Sequence, residues 1–462
     1  LRAALLIGLL LGAACQAPAP DALPTAALPT ATSSAPPATP TPVVATTAEV
    51  TQPAGTAAPP VADVTSTPIF DGPLSAACGQ LLPAVPLQAA PTVRELSVDG
   101  EGRAALQRAV PAAAWPALER LLDAPGTVGL AAYQLGQADA GVYLNADTAM
   151  PLASVVKLIT LVAYAEAVAG GELNPQQPVA LADLDRFYLP RFDLGAHQRA
   201  VNDLRAAGRV STGDNPSVAL EDVAWMMIRY SSNAASDYLH DRLGQVRIEQ
   251  TARDLGLSSQ TAPCPFIGQF LLMGNHTRQT GDTAALRAYL EGDPARYGAD
   301  VSLLADTYSQ SAGFREAEAA WRQRTRRPSI ESQRVFSESL NAQGSAADYG
   351  ALMARLAQNG LSNGESSFTA RRILEWPMQF PDNQELFSNA GYKNGSLPGV
   401  LTTAYYAYRW NDAAPIVVVL FYRDLPQQTY RQWRWDLPHD ELARWLLSDP
   451  AAIPVLRAAL AP

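Results

Sequence analysis

Of the 34 lysines and arginines in this chain only two, Lys157 and Lys393, are lysine. Positions that need nothing but a positive charge have been given to arginine. A guanidinium keeps its proton under physiological conditions, whereas an ammonium that is buried or set beside another cation can lose one and act as a base. Each lysine also falls in a short pattern with a hydroxyl. Ser154-Val155-Val156-Lys157 reads S-x-x-K, Lys393-Asn394-Gly395-Ser396 contains K-x-G, and between them Ser231-Ser232-Asn233 reads S-x-N. Alone each pattern is weak. In this order they supply a serine nucleophile, an amine to take its proton, a second hydroxyl and a second amine, which are the parts of acyl transfer through an activated serine.

The elements around these residues must bring them together. The stretch Ser154 to Ala169 is apolar on almost every face, which predicts a helix buried all round. Ser154 and Lys157, three apart, share one face near its N-terminus, where the helix dipole favours developing negative charge. The plain alternative, Ser154 as an N-cap with an accidental lysine, leaves a buried ammonium without a nearby acid in the sequence. Upstream, a helix is predicted from about Gly102 to Leu122, interrupted at Pro111 and Pro116, followed by a hairpin of Thr127 to Gln134 and Val142 to Asn145. Residues 170 to 380 carry helical stretches at Leu220 to Arg229, Ala234 to Arg242, Thr283 to Leu290, Ala347 to Gln358 and Ser367 to Trp376, with little strand character. Strands return at Leu386 to Tyr392, Thr402 to Arg409 and Ile416 to Tyr422, before a helix from about Asp440 to Leu447. The pattern implies an α/β fold with an antiparallel sheet, built from both ends of the domain and flanked by helices, and an inserted all-α half. The α/β half covers about 100–150 and 385–462 and the helical half about 151–384. The motifs then converge at the cleft between the halves. One rival motif, Gly360-Leu361-Ser362-Asn363-Gly364, fits the G-x-S-x-G nucleophile elbow. It follows a predicted helix rather than a strand, so it reads as a loop between helices.

Net charge is −10 and no basic stripe runs along the chain, which excludes a nucleic-acid partner. The nearest exception, Arg322, Arg324, Arg326 and Arg327, reads as a solvated face, the other reading being a dock for an anionic envelope polymer. Residues 1–15 read as an export signal: Arg2, a short apolar run, then small residues before Cys15. Residues 16–70, rich in Pro, Thr, Ala and Ser, read as a stalk that buries too little surface to fold. The folded domain is then 71–462. In an oxidising envelope Cys78 and Cys264 read either as a disulfide or as two buried thiols. The four histidines, His197, His240, His276 and His439, lack metal-ligand spacing, so no metal or other cofactor is expected.

From about Pro116 to Leu447 the chain resembles the class A β-lactamase and serine penicillin-recognising hydrolase family. Besides the three patterns, Met227 to Ala235 resembles the passage that carries the family's S-D-N, and Tyr392 to Val400 resembles its K-T-G strand. Leu11 to Cys15 resembles a bacterial lipobox with Gly12 in place of the usual leucine, so either lipidation at Cys15 or ordinary cleavage nearby follows. The resemblance implies a β-lactamase/transpeptidase-like fold and a monomeric serine hydrolase; the signal and lipobox imply export to the cell envelope, with a lipid anchor where Cys15 is modified. Its substrate would be a small molecule, either a β-lactam or a peptidoglycan stem peptide. Ser154 would be the nucleophile, Lys157 its base with its pKa lowered by burial and by Lys393, and Ser231 the proton relay. Asn233, Lys393, Asn394, Gly395 and Ser396 would bind substrate, and the backbone N–H groups of Ser154 and Ser396 would form the oxyanion hole. The implied activity is β-lactam hydrolysis and hence antibiotic resistance. D-alanyl-D-alanine peptidase or transpeptidase chemistry, or binding without turnover, are the alternatives. Three departures stand out. Ser232 replaces the S-D-N aspartate, and Asn394 replaces the K-T-G threonine. The deacylating glutamate of E-x-x-L-N is displaced by one residue, to Glu338 before Leu340-Asn341, with Glu331 as a distant substitute, and a long insert, about Thr261 to Arg334, precedes it.

Overall fold

The computed structural model describes residues 78–82, 92–96, 98–277, 283–292, 294–325 and 327–460. All belong to one of the two units into which the chain divides. The expected signal and lipobox at 1–15 and the stalk at 16–70 lie outside the described residues.

A five-stranded antiparallel sheet is built from β1 (Val128–Gln134), β2 (Val142–Leu144), β3 (Phe387–Leu397), β4 (Val400–Arg409) and β5 (Ile416–Tyr422), in the order β2-β1-β5-β4-β3. The middle strand β5, Ile-Val-Val-Val-Leu-Phe-Tyr, is buried at every position, as a strand covered on both faces must be. Its alternation shows what covers it: Phe421 meets Tyr349 of helix α10 (Ala346–Ala357), while the next residue, Tyr422, meets Trp433 of α12 (Gln427–Asp436) and His439 of α13 (Pro438–Ser448). Successive side chains of a strand point to opposite faces, so α10 lies on one side and α12 and α13 on the other. The last strand in the order, β3, is an edge strand and carries Lys393 to Ser396.

The predicted first helix is two, α1 (Gly100–Ala109) and α2 (Trp115–Asp123), with Pro116 in the first turn of the second, where a missing N–H costs nothing. Between β2 and β3 lie the helices α3 (Lys157–Ala169), α4 (Ala196–Ala206), α5 (Leu220–Arg229), α6 (Asn233–Leu243), α7 (Phe266–Leu272), α8 (Pro294–Gln310), α9 (Ala312–Arg324), α10 and α11 (Gly364–Leu374). This region is not purely helical. Two short ladders, Met150–Pro151 with Gln343–Gly344 and Pro178–Ala180 with Ser217–Ala219, interrupt it. They are two or three residues long, below the length at which period-2 patterning is visible. Ser362 lies between α10 and α11, after Asn359 at φ 57°, so no strand leads into it and the nucleophile elbow is absent there. Cys78 and Cys264 are joined by a disulfide with Cα atoms 4.9 Å apart. The arginine cluster departs from a solvated face: Arg322 turns inward beside Glu318, whose side chain is fully buried, while Arg326 lies outside the described residues.

Candidate active site

Ser154 sits in a single 3₁₀ turn, Ala153–Val156, and α3 begins at Lys157. The helix thus starts three residues later than the apolar run suggests. In a 3₁₀ turn residues i and i+3 eclipse, so Lys157 stands on the same side as Ser154. The turn is held from several directions. The Ala153 N–H donates to Asn341 Oδ1 (3.0 Å), Leu152 N–H donates to Ala342 O (2.9 Å), and Thr402 Oγ1 on β4 donates to Leu152 O (2.8 Å). Ala153 adopts φ 47° and Ser231 φ 62°. Left-handed backbone at non-glycine residues is costly and persists only where the surroundings impose it. Here both residues adjoin the reacting group.

Lys157 and Lys393 are each 1 % exposed and meet at one hydroxyl. Lys157 Nζ donates to Ser231 O (2.7 Å), Asn233 Oδ1 (2.7 Å) and, at 3.3 Å, Ser231 Oγ. Lys393 Nζ donates to the same Ser231 Oγ (3.1 Å) and to Asn394 O (2.7 Å). Ser154, Ser231, Asn233, Asn394, Gly395 and Ser396 line one cleft of about 810 Å³, open mouth included. Burial lowers the Lys157 ammonium to about 7, against the opposing charges of Asp237 and Asp193. Burial, then the charge of Lys157, holds Lys393 well below the ordinary lysine range, against Asp440. Burial, not the expected charge of Lys393, is what lowers Lys157, whereas the effect of one amine on the other falls on Lys393. A neutral amine has two N–H donors, enough for the two acceptors at 2.7 Å, and one lone pair left for the proton of a hydroxyl. Because the base form is the deprotonated one, acylation at Ser154 is expected to rise with pH through a midpoint near 7. Stopped-flow acylation rates between pH 5.5 and 8.5 measure this, and a flat profile would exclude Lys157 as the base.

The surrounding residues explain the departures. Ser232 does what a carboxylate brace would do: its Oγ accepts from Ala235 N–H at the start of α6 (3.2 Å) and meets His197 Nδ1 of α4 (3.1 Å). Gly395 lines the cleft with its backbone, while the direction a side chain would take runs into protein. A Cβ there would stand 2.6 Å from Ser154 N and 2.7 Å from Leu152 O, so β3 runs directly beneath the nucleophile's turn. Ser396 Oγ hydrogen-bonds Tyr430 OH of α12 (3.0 Å).

Glu338 does not join the cleft. It lies in a π-helical turn, Phe336–Leu340, and its carboxylate accepts from Asp424 N–H (2.8 Å), beside Gly399 at the β3–β4 hairpin. Burial raises its pKa. A one-residue displacement on a helix turns a side chain by roughly 100° about the axis, and Asn341, in register, reaches the nucleophile's turn where Glu338 cannot. Glu331 is on the surface, paired with Arg287.

Three residues that sequence reasoning passed over complete the surroundings. Phe266 places its ring centroid 4.6 Å from Lys157 Nζ. Asp237 is buried one helical turn after Asn233 on α6 and accepts from the N–H groups of Phe266 (2.8 Å) and Ile267 (2.7 Å). Burial raises it to about 7. Asp193 lines the cleft, its oxygens accepting from Gly195 and His197 N–H at the start of α4. The i, i+4 spacing of Asn233 and Asp237 was a usable signal. Phe266 sits in the insert, where nothing in the sequence marks it.

Among solved structures the chain is similar to a beta-lactamase from Sphaerobacter thermophilus (18% identity, TM-score 0.43, covering 73% of this chain and 98% of that one). It is also similar to one from Desulfarculus baarsii (16%, 0.42, 76% and 99%) and to a mutant of PBP-A solved as an acyl-enzyme complex with penicillin G (17%, 0.39, 71% and 95%). No curated protein sequence matches the chain. Residues 114–433 match the model of the beta-lactamase enzyme family. The chain belongs to that family, with its β-lactamase/transpeptidase-like fold, and is a serine hydrolase.

Proposed function

We propose that the protein is an exported acyl-serine hydrolase, acylated at Ser154 by β-lactams and by peptides of the D-alanyl-D-alanine type, and that it releases the acyl group slowly. The observation that carries the acylation half is the row Lys157, Ser231, Lys393, hydrogen-bonded through one hydroxyl that lines the same cleft as Ser154. Neutral Lys157 takes the Ser154 proton as Oγ attacks the amide carbonyl, and the oxyanion rests on the backbone N–H groups of Ser154 and Ser396. Collapse breaks the C–N bond. Ser231 Oγ gives its proton to the departing nitrogen and takes the one held on Lys157, leaving an ester on Ser154, Ser231 again a hydroxyl and Lys157 again neutral. Asn233 spends its Oδ1 on Lys157, so its NH₂ remains to bind the substrate's amide carbonyl, and Lys393 draws the substrate's carboxylate.

The slow second half follows from what surrounds Lys157. Glu338 is engaged by the Asp424 N–H just after β5, and an aromatic ring, not a carboxylate, faces the amine. Asp193, the one carboxylate among the described residues lining the cleft, is occupied as a helix cap. A hydrolytic water therefore has only Lys157 to activate it. This makes penicillin binding and peptide cleavage the better reading, ahead of antibiotic destruction. Mixing with nitrocefin is expected to give a burst of one equivalent, absent in Ser154→Ala, then a steady rate below about 0.1 s⁻¹, far under typical enzyme turnover. Sustained turnover of about 10 s⁻¹ or more would restore the β-lactamase reading, and no burst would remove acylation itself. Export and a lipid anchor at Cys15 belong to the same proposal, and mass spectrometry of the membrane-extracted protein tests them.

A further inference from the structure

The insert between Thr261 and Arg334 supplies none of the groups that transfer protons or bind the oxyanion, yet it touches the cleft twice. Its own α7 supplies Phe266 and Phe270 to the lining. Its later helices grip the loop that forms the adjoining lip, where Phe192, Asp193 and Leu194 line the cleft. The grip is a row of separate contacts. Arg186 Nε donates to Ser309 O of α8 (3.0 Å), and Tyr308 OH of α8 donates to Tyr188 O (2.8 Å). Arg191 Nη1 donates to Arg322 O of α9 (3.1 Å). Arg322 itself lays its guanidinium over the Phe192 ring, 4.6 Å from the centroid, and Phe192 packs on Phe270 with centroids 5.0 Å apart.

Arg322 is fixed from behind. Its Nε lies 2.6 Å from Glu318 Oε1, its Nη2 donates to Gly274 O (2.9 Å), and Glu318 also accepts from His276 N–H (2.8 Å). Helix α8 is seated on α7 at Gly268, where a Cβ would run into the Val301 carbonyl, so the two helices meet backbone to backbone. Such an arrangement holds the loop in spite of left-handed backbone at Arg191 and Leu194, φ 76° and 56°.

We propose that the insert is a brace that fixes the Phe192 lip against Phe270, making an apolar wall on the Asn233 side of the cleft, and that Arg322 is the positioning residue that sets this wall and so selects substrates with an apolar acyl group. The proposal rests on the reading that a substrate's amide lies at Asn233. Its test needs no catalysis. In the Ser154→Ala background, penicillin G, whose amide carries a phenylacetyl group, is titrated calorimetrically beside 6-aminopenicillanic acid, which has the same nucleus and a bare amine. Penicillin G is expected to bind about tenfold more tightly, the scale of discrimination an apolar pocket provides.

Phe192→Ala is expected to bring the two affinities within about twofold. Arg322→Met, made together with Glu318→Gln so that no buried carboxylate is left unpaired, is expected to do the same while the lip residues stay intact. Arg322→Lys is expected to fall between. A purely structural role would weaken both ligands alike, so a ratio unmoved by Phe192→Ala or by the double variant overturns the proposal, as does failure of both ligands to bind. Loss of acylation in the protein with Ser154 present would instead refute the acyl-enzyme reading, which these affinities do not depend on.

Discussion

Lys157→Arg is expected to lower the acylation rate of Ser154 by roughly 10³- to 10⁴-fold while leaving the protein folded, the range associated with removing a positioned general base and its coupled partners. The substitution keeps a positive charge and keeps donors for Ser231 O and Asn233 Oδ1, both now at 2.7 Å from the amine. What it removes is the ability to be neutral: a guanidinium does not give up its proton at pH 7, so no lone pair faces the hydroxyl. Burial that brings Lys157 to about 7 has no comparable effect on arginine. The measurement is the second-order rate of labelling by a fluorescent penicillin, read against Lys393→Arg. At Lys393 the required property is charge toward a carboxylate, so the loss there is expected to be smaller, roughly 10- to 100-fold, and to fall mainly on binding. Equal losses at the two positions would mean that Lys157 acts as a charge and that another group takes the proton.

The rarity of lysine carried much of this site before any fold was known, because a chain that uses arginine for charge marks its amines by exception. The motif order placed Ser154, Ser231, Asn233 and Lys393, and the structure brings the first three to one cleft, with Lys393 and Lys157 buried behind it on the Ser231 hydroxyl. Strand β5 and helix α5 were legible to the residue, the first as an unbroken apolar run and the second through its apolar spacing. Where legibility failed, the reason was three-dimensional. Glu338 carried the right residue type at nearly the right spacing, but the π-helical turn around it depends on packing that the local sequence does not encode. Arg322 read as part of a charged surface, since only tertiary contacts show that Glu318 and Phe192 enclose it. Helix α12, Gln-Gln-Thr-Tyr-Arg-Gln-Trp-Arg-Trp-Asp, is polar along much of its length and buries only Tyr430 and Trp433. Its apolar stripe is too narrow to stand out from a loop.

Gly395→Ala is expected to cost acylation roughly 10²- to 10³-fold, comparable to the loss of an oxyanion donor, together with about 1–3 kcal/mol of stability from overpacking. The argument is steric and needs no unusual backbone at Gly395. The added methyl would sit 2.6 Å from Ser154 N and 2.7 Å from Leu152 O, and both are backbone atoms that no rotamer change can move aside. Either β3 retreats or the Ala153–Val156 turn does. The turn is tied to Asn341, Ala342 and Thr402, whereas β3 is an edge strand bonded on one side only, to β4. The strand gives way. Its retreat pulls Ser396 N–H away from Ser154 N–H and parts the two donors that must converge on one oxyanion, while Lys393 is drawn from Ser231 Oγ on the same strand. Asn394→Ala removes a side chain from the same strand without adding one, and its effect on acylation is expected to stay within about tenfold. Thermal unfolding and penicillin-labelling rates of the two variants decide the matter. If Gly395→Ala acylates like the parent protein, the close approach of β3 to the nucleophile's turn is not what aligns the oxyanion hole.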